Sequence, residues 1–463
     1  MKGLSLNIDD FFEISTAEIF NPGEIRAVRN VTIDSRQVKK GSLFIAIKGK
    51  RFDGHSFVRS AVKNGASVLL INRKRINEFG DIDLPIITVK NTSKAFGEIA
   101  KLWRKKLTTK IIGLTGSNGK TSTKDMLATL LNEKYKVNKT ESNNNNHIGV
   151  PLTLLATNEK HDVLVAELGT NQFGEIEYLA KILQPDLALI TNIGDSHIEY
   201  LENRKGVLKE KIALFDETQN NKGKIFLNYD EPLLKNLYNK FNNCTTYGFN
   251  NNVDVEGKIL NYTDDGRPVI EIKYKNKKMK NTLPVYGEQS AKNYLAAVSI
   301  AANLGLTKEQ IKEGTQKIRT SDGRLNVNLY NNILLIDDTY NASPDSTYAA
   351  IELVALIKTY ERKVLILGDM FELGKDKIKL HRSLSSIIIK SGIDELYTIG
   401  TGMKALHEKL ISKKLITKHF RTRKSLQKFI NNYNPQNTVI LVKGSRGMRM
   451  EEFANAILSK TKN

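Results

Sequence analysis

The sequence is poor in cysteine, since Cys244 is the only one among its 463 residues. A single thiol cannot form an internal disulfide, so we expect a protein of a reducing, cytoplasmic compartment. The chain also lacks the apolar run of about 18 residues that a membrane helix needs, so we expect no membrane insertion. Near the N-terminus, Asp9 and Asp10 interrupt the stretch that a signal peptide would keep apolar. Together these absences favour a cytoplasmic protein.

Acidic residues are scarce relative to basic ones: 50 Asp and Glu stand against 71 Lys and Arg, for a formal net charge of +21. Such a charge raises the question of nucleic-acid binding, which would be tight and salt-sensitive. The basic residues are spread along the chain, however, and no helix-turn-helix, zinc-finger or RNP-like motif occurs. We therefore predict no nucleic-acid partner. The positive field would instead assist binding of a small polyanion such as a nucleotide.

The length exceeds what one hydrophobic core can organise, and about three domains are expected. Residues 1–90 are typical of a small mixed α/β domain. Residues 91–319 alternate strands and helices, which predicts a parallel sheet, with an antiparallel β insertion at Val253–Pro284. Residues 320–463 alternate in the same way and predict a doubly wound, Rossmann-like domain. The chain shows no internal repeats and no low-complexity linker.

The segment GLTGSNGKTST, Gly113–Thr123, follows an apolar strand and precedes a helical run. A glycine-rich turn in this position can hold phosphates on the backbone N–H groups of the turn and of the helix N-terminus. The longer phosphate-loop pattern requires glycine at the position where this chain has Leu114. The motif here is therefore the shorter G-x-x-G-K-T. Lys120 would reach the β and γ phosphates, and Thr121 would offer its hydroxyl to Mg²⁺. The predicted phosphate-binding residues are Gly116, Ser117, Asn118, Gly119, Lys120, Thr121 and Ser122.

Two further side chains are expected beside this loop. Glu167 ends a predicted strand, VLVAELG, and His197 follows another, LALITNIGD. Because the carboxyl ends of parallel strands face one crevice, both are predicted to lie near the metal and phosphates. A carboxylate together with the loop hydroxyl suits Mg²⁺. The alternatives are a helix cap or a loop ion pair for Glu167, and a solvated loop histidine for His197.

Longer strings on both sides of the loop resemble the Mur ligase family, and within it the MurF type. They are Asp34-Ser35-Arg36, GSLFIAIKG (Gly41–Gly49) and FDGHSF (Phe52–Phe57) in the first domain; TGSNGKTST, NNNNHIGVPLTLL (Asn143–Leu155), AELGTNQFGEI (Ala166–Ile176) and TNIGDSHIEYL (Thr191–Leu201) in the centre; and DDTYNASPDS (Asp337–Ser346), LGDMFELG (Leu367–Gly374) and VKGSRGMRMEEF (Val442–Phe453) in the last. They occur in the family's order over nearly the whole chain.

The resemblance implies a function for each predicted domain. Residues 1–90 would bind the uridine nucleotide, 91–319 ATP, and 320–463 the amino-acid or dipeptide substrate. The implied reaction is ATP-dependent ligation of D-alanyl-D-alanine to UDP-N-acetylmuramoyl-tripeptide through an acyl phosphate, giving a peptidoglycan precursor. We expect a monomer with small-molecule substrates only. The third residue of the tripeptide stays open between diaminopimelate and lysine.

The resemblance also implies ligands for ATP and two Mg²⁺ ions. Thr121 and Glu167 would bind the first ion and His197 the second. A lysine carbamylated on its amine would support the second ion, and Lys211 has the family's spacing to the Leu214-Phe215 pair. Carbamylation turns a cation into an anion, which lets the side chain face a metal. Lys120, Lys211, His197 and Glu167 are thus the predicted catalytic residues. The alternative for Lys211 is an ordinary surface lysine.

Other positions follow by their motifs. Asn293 would lie near the adenine, although the family usually has His-Asn where this chain has Gln289-Ser290. Arg324 would reach the γ-phosphate across the domain gap. Asp337 is predicted to contact the nucleotide or to position the amine, with neighbouring Asp338 the alternative. The predicted substrate-binding residues are Ser35, Arg36, Asp53, Gly54, His55, Asn145, Asn341 and Ser343, and turn capping is the alternative for the last two.

Three other functions remain open. A MurE-type or other Mur-like ligase would act on a different carboxylate and amine, although the IGVP and DDTYNASP strings argue against the MurE type. A phosphate-loop NTPase used for mechanical work or signalling would turn over ATP without an amino-acid acceptor. A basic nucleic-acid-binding protein is the third.

Overall fold

Three β-sheets of five, nine and six strands occur in the computed structural model, which describes residues 3–25, 27–250, 252–330 and 332–460. Most strands are parallel and alternate with helices, so the predicted three-domain α/β architecture is confirmed. The sheets use residues 18–89, 110–282 and 326–443. The functions predicted for the three domains, and their boundaries, stay predictions. Among the described residues, no helix is both long and apolar enough to cross a bilayer.

The first sheet has the order β1-β5-β4-β3-β2, with only β1 antiparallel to its neighbour. Its elements are α1 Ile8–Phe12, β1 Glu18–Phe20, β2 Asn30–Thr32, β3 Ser42–Ile45, α2 Val58–Lys63, β4 Ala66–Asn72 and β5 Ile86–Val89. Alternate residues of β4 enter different cores: Leu69 packs in a cluster of this domain, whereas Leu70 joins a cluster that continues into the central domain. Both faces of the sheet are therefore buried, as parallel sheets require.

Helix α3, Thr92–Lys106, leads into the central domain. The elements that follow are β6 Lys110–Thr115, α4 Lys120–Leu131, β7 Val137–Lys139, α5 Gly149–Ala156, β8 Val163–Glu167, α6 Glu175–Leu183, β9 Leu187–Ile190, α7 Ile198–Leu201, α8 Arg204–Asn220, β10 Lys224–Asn228, α9 Pro232–Lys235, β11 Cys244–Gly248, β12 Val255–Tyr262, β13 Pro268–Tyr274, β14 Lys277–Thr282, α10 Gly287–Asn303 and α11 Lys308–Lys317. The strand order is β14-β13-β12-β11-β10-β9-β6-β8-β7. Strand β6 thus lies between β9 and β8, which brings the carboxyl ends of these three strands together.

The predicted β insertion is antiparallel, as expected, but it does not stand apart from the sheet. Strands β12, β13 and β14 pair antiparallel with one another. Strand β12 also pairs in parallel with β11 through Tyr247 and Gly248, so the insertion extends the central sheet.

The last domain has the strand order β15-β16-β20-β17-β18-β19, with β15 antiparallel. Its elements are β15 Asn326–Tyr330, β16 Ile333–Asp338, α12 Pro344–Leu356, β17 Arg362–Gly368, α13 Lys377–Ser383, α14 Ser385–Lys390, β18 Glu395–Ile399, α15 Thr401–Leu410, β19 Ile416–Phe420, α16 Arg423–Asn432, β20 Thr438–Lys443 and α17 Glu451–Lys460. Separate apolar cores cover the two faces of this sheet. The carboxyl ends of β16 and β20 lead into loops that face the central domain.

Candidate functional site

A cleft of about 740 Å³ lies between the central and last domains. The phosphate loop and the segments after β8 and β9 line one side, and the loops after β16, β17 and β20 line the other. Most side chains predicted for ATP, metal and acceptor line this space, but Thr121, Lys211 and Asp337 do not. The lining residues begin at Ser117, so the N-terminal candidates lie outside this cleft.

The phosphate loop connects β6 to α4 through two glycines with positive φ, Gly116 at +153° and Gly119 at +79°. Helix α4 begins at Lys120, and its N-cap residue Gly119 offers no side chain to the first N–H groups. Those groups remain available to an anion. Lys120 Nζ donates to the carbonyl oxygens of Gly116 at 2.7 Å and Ser117 at 3.3 Å. Its burial lowers the pKa of Lys120, while the nearby Glu167 carboxylate opposes that shift.

Glu167 ends β8 beside the loop and is buried. Thr121 Oγ1 donates to Glu167 Oε2 at 2.9 Å, and Asn145 Nδ2 donates to Oε1 at 2.9 Å. A hydroxyl and a carboxylate at this spacing supply oxygen donors of the kind that Mg²⁺ prefers. Asn145, predicted as a substrate contact, is here a partner of the metal-site candidate. Lys124, which the sequence reasoning missed, is buried with Nζ 4.0 Å from Glu167 Oε2.

Lys211 lies on α8 and is 1% exposed, so it is not an ordinary surface lysine. None of the described residues forms a hydrogen bond or ion pair with its Nζ. Burial, and then the positive charge of Lys120, lower the pKa of Lys211 well below its usual value. The neutral amine is the form that can react with carbon dioxide. An unmodified amine offers Mg²⁺ no anionic oxygen, so Lys211 fits a metal site only as the carbamate.

His197 is the N-cap residue of α7, has a left-handed backbone with φ +54°, and lines the cleft. Its Nδ1 lies 2.6 Å from Glu372 Oε2 in the last domain, and its side chain is 21% exposed. The contact with His197 is the main reason why the pKa of Glu372 is lowered. The predicted alternative for His197, a solvated loop histidine, does not describe this contact. Sequence reasoning missed Glu372, although it lies within the LGDMFELG string.

The predicted nucleotide contacts Asn293 and Arg324 both line the cleft. Asn293 is buried against the phosphate loop, where a Cβ added to Gly119 would overlap its Oδ1. Gln289, one of the two departures from the family pattern, donates to Asn293 Oδ1 at 3.1 Å. The Arg324 guanidinium stacks 3.8 Å from the centroid of the Tyr340 ring.

In the last domain, Asp338 rather than Asp337 lines the cleft. Asp337 accepts hydrogen bonds from the N–H and hydroxyl of Thr339, at 3.2 and 2.6 Å. Burial raises the pKa of Asp337. Asp338 forms a buried ion pair with Lys443, whose Nζ also donates to the carbonyl of Asn341 at 3.0 Å. Because successive strand residues point to opposite faces, only one of the two aspartates meets the cleft.

Ser343 and Asn341 both line the cleft. Ser343 is the N-cap of α12, so the capping alternative describes it correctly. Its hydroxyl also donates to Asn118 Oδ1 of the phosphate loop at 2.9 Å. A direct hydrogen bond therefore joins the last domain to the central domain at the phosphate loop.

A second polar link crosses the same gap. Asp345 Oδ2 accepts from the N–H of Asp195 at 3.2 Å, and Asp345 Oδ1 lies 3.1 Å from Arg204 Nη2. Arg204 also pairs with Asp195 at 2.7 Å. Asp345 and Arg204 were not predicted, because no sequence pattern indicates pairing between domains.

The N-terminal candidates form a separate cluster. His55 is buried, with Nδ1 2.7 Å from Asp53 Oδ1, and its Nε2 accepts from the N–H of Asn72 at 2.9 Å. Hydrogen bonding to His55 and Arg75 outweighs burial and lowers the pKa of Asp53 to about 2. A Cβ at Gly54 would meet the backbone of Ile47 at 2.6 Å, so only glycine fits there.

Ser35 and Arg36 complete the N-terminal candidates. Ser35 is buried, whereas Arg36 is exposed and pairs with Asp34 at 2.8 Å.

Among the described residues, no group of three or more His, Cys, Asp or Glu side chains is placed to hold a metal. The four predicted metal ligands include only Glu167 and His197 of these types. A metal bound here would therefore need the Thr121 hydroxyl, a carbamate on Lys211 and oxygens from the phosphates.

Family comparisons cover most of the chain. The Mur ligase family catalytic domain matches residues 27–104, the Mur ligase middle domain 114–301, and the Mur ligase glutamate ligase domain 323–446. The chain is 34% identical over 457 residues to the UDP-N-acetylmuramoyl-tripeptide--D-alanyl-D-alanine ligase of Bacillus subtilis (strain 168), covering 97% of this chain and 98% of that protein. It is 35% identical to the protein of the same name from Haemophilus influenzae, covering 94% of each.

Solved structures agree with the sequence matches. A MurF crystal structure from Acinetobacter baumannii has a TM-score of 0.88 at 29% identity, covering 98% of this chain and 99% of that one. MurF ligase from Thermotoga maritima, solved in complex with ADP, has a TM-score of 0.83 at 27% identity, covering 94% and 98%.

Proposed function

Because the chain belongs to the Mur ligase family, we propose that it joins D-alanyl-D-alanine to UDP-N-acetylmuramoyl-tripeptide at the expense of ATP. The observation that carries the proposal is the near full-length match to ligases of that name, at 34% identity over 97% of this chain. The cleft supports the proposal, because the phosphate loop, the Glu167 carboxylate and His197 of the central domain face polar loops of the last domain. The product would be a pentapeptide precursor of peptidoglycan, made in the cytoplasm by a monomer.

In the first step, an oxygen of the tripeptide carboxylate attacks the γ-phosphorus of ATP. The bond to the bridging oxygen breaks, ADP leaves with the electron pair, and an acyl phosphate forms. Two anions must approach each other, so cations are needed around the transferring group. Lys120 and the open N-terminus of α4 would supply positive charge there, and Arg324, which also lines the cleft, would add a third positive group from its far side.

Thr121 and Glu167 would hold one Mg²⁺, and His197 with a carbamate on Lys211 would hold a second. Bound there, the metals would neutralise charge on the phosphates and the acyl group. The buried amine of Lys211, which has no hydrogen-bond or ion-pair partner among the described residues, supports the carbamate. Asn145 and Thr121 keep the Glu167 carboxylate in place by hydrogen bonds on both oxygens.

In the second step, the amine of D-alanyl-D-alanine attacks the acyl carbon. The bond between that carbon and the phosphate oxygen breaks, phosphate leaves with the electron pair, and the nitrogen loses a proton. Water must be excluded, because it would hydrolyse the acyl phosphate. Contacts that hold the last domain against the loop, such as Ser343 to Asn118, serve this exclusion.

The N-terminal cluster would bind the uridine nucleotide. Gly54 brings backbone close to Ile47, and Asp53 and Arg75 present charge at the surface of the first sheet. Because this cluster lies outside the cleft, the long UDP-sugar-peptide would reach from the first domain to the γ-phosphate.

The test is acceptor dependence of phosphate release. We expect release only when ATP, the UDP-muramoyl-tripeptide and D-alanyl-D-alanine are all present, with one phosphate for each peptide bond formed. Running the assay with the diaminopimelate and the lysine tripeptide identifies the third residue. Phosphate release that depends on neither the tripeptide substrate nor D-alanyl-D-alanine would indicate an NTPase of another kind. Turnover with a single amino acid and a dipeptide-stage precursor would favour a MurE-type ligase.

A further inference from the structure

The contact between His197 and Glu372 joins the proposed metal site to the other domain. Its atoms lie 2.6 Å apart, and both residues line the cleft. Glu372 contacts the start of α7 a second time, because its carbonyl oxygen accepts from the N–H of Glu199 at 3.2 Å. One acidic residue thus docks on α7 with both its side chain and its backbone.

Both residues hold unfavourable backbones at this contact. His197 has φ +54° and Glu372 has φ +61°, a region that side chains other than glycine seldom adopt. Each costs of order 1 kcal/mol and persists only where surrounding contacts enforce it. Two such residues facing each other across a domain gap indicate a functional constraint.

The Glu372 carboxylate approaches the His197 ring at Nδ1, as a close charged contact rather than an aligned hydrogen bond. A negative oxygen at 2.6 Å from Nδ1 favours the proton on that nitrogen, which leaves the Nε2 lone pair for a ligand. Carboxylates commonly orient metal-binding histidines in this way. Here the carboxylate comes from a different domain than the histidine.

We propose that Glu372 is a positioning residue, supplied by the last domain, that orients His197 and sets its tautomer for the second Mg²⁺. The inference rests on the two-ion part of the proposed function. It makes the second metal site depend on domain docking. The site is complete only when the loop after β17 contacts α7, so the enzyme binds its second ion in the closed form.

The competing explanation is that Glu372 only holds the two domains together. A second contact between the domains, made by Asp345, allows this explanation to be tested. Asp345 also ties the last domain to the central one, through Asp195 and Arg204, without contacting His197. Glu372→Ala and Asp345→Ala would act alike if docking alone mattered. They would differ if Glu372 orients the ring.

The experiment measures Mn²⁺ binding to the full chain with ADP and bicarbonate, by electron paramagnetic resonance of free Mn²⁺. We expect two ions for the unaltered protein and a loss of about tenfold in affinity for the weaker ion in Glu372→Ala. Asp345→Ala weakens domain closure but leaves the carboxylate beside His197, so it should lose less of that affinity, about twofold to threefold. The tighter ion should bind alike in all three. ADP affinity and the thermal midpoint establish that each variant is folded.

Nitrogen-15 NMR of the labelled histidines gives a readout without metal or activity. The chain has seven histidines, and Glu372→Ala should move His197 away from the Nδ1–H tautomer. Unchanged tautomer and unchanged weaker-ion affinity in Glu372→Ala would overturn the inference, as would equal losses in both variants. A single ion in the unaltered protein would overturn the two-ion proposal and this inference together. Two ions without ligase turnover would count against the proposed reaction alone.

Discussion

Lys211 is buried, whereas lysine side chains are usually exposed. Lysine ammonium groups are rarely buried without a partner, yet this one is 1% exposed and has no hydrogen bond or ion pair among the described residues. The nearby positive charge of Lys120 further disfavours the protonated, charged form of Lys211. The arrangement is unfavourable for an ammonium group and favourable for a neutral amine, which is the form that carbon dioxide would convert to a carbamate.

We therefore expect Lys211→Ala to lose activity by about 100-fold or more, because a charge-stabilising group is removed from the reacting centre. Lys209→Ala is the matched control on the same helix, since Lys209 is exposed and lies 5.5 Å from the Phe173 ring. Rates are compared in carbon-dioxide-depleted buffer with and without added bicarbonate, and carbamate is sought by carbon-13 NMR. Full activity of Lys211→Ala with no bicarbonate effect would rule the carbamate out.

At the scale of elements, two helices begin in the same unusual way. Helix α4 has Gly119 as N-cap at φ +79°, and α6 has Gly174 at φ +88°, each without a side-chain cap. They differ in surroundings: an added Cβ at Gly119 overlaps Asn293, whereas at Gly174 nothing lies within 4 Å. A substitution at each of these two glycines therefore separates the cost of backbone strain from the cost of steric overlap with a neighbouring side chain.

Alanine at either position should cost about 1 kcal/mol of unfolding free energy, because the left-handed conformation disfavours a Cβ. Only Gly119→Ala should also weaken ADP binding, by about tenfold or more, because it displaces Asn293 from the loop. Chemical denaturation measures the first effect and calorimetric titration with ADP the second. Equal ADP affinities in the two variants would show that the contact between Gly119 and Asn293 does not shape the site.

The elements themselves were largely predictable, and the reasons for the exceptions are local. The alternation of strands and helices identified the three sheets, because buried parallel strands give apolar runs of a typical length. Helix α4 begins at Lys120, earlier than its apolar pattern indicates, because the glycine turn lets the helix start there. Residues 377–391 have a sequence pattern that predicts one helix, but they form two helices that meet at Leu384.

The site was predictable only within each domain. Thr121, Glu167 and His197 follow from motif and strand ends. The contacts of Glu372 and Asp345 depend on how separate domains meet, which no periodicity encodes. The choice between Asp337 and Asp338 likewise depends on which face of β16 meets the cleft.

At the scale of the whole molecule, small polar contacts join the central and last domains around the cleft. They include Ser343 to Asn118, Glu372 to His197, and Asp345 to Asp195 and Arg204. Exposed ion pairs contribute at most about 1 kcal/mol each to folding. Domain closure, however, is an equilibrium between states that differ by only a few kcal/mol, so contacts of this size can shift it.

We expect Asp345→Ala to open the cleft while leaving the domains folded. Arg204 and Asp345 are about half exposed, at 47% and 42%, so their pair adds little to unfolding free energy. Loss of the contact to the Asp195 N–H removes a further tie between the domains. Small-angle X-ray scattering with ADP should therefore give a larger radius of gyration and an unchanged melting midpoint.

The matched control for this change is Asp81→Ala, which removes an exposed ion pair to Arg59 inside the first domain. It should leave both the radius and the midpoint unchanged. In the assay with all three substrates, Asp345→Ala should release more phosphate per peptide bond, because water reaches the acyl phosphate in an open cleft. A radius and a phosphate-to-product ratio equal to those of the unaltered protein would show that Asp345 does not hold the domains closed.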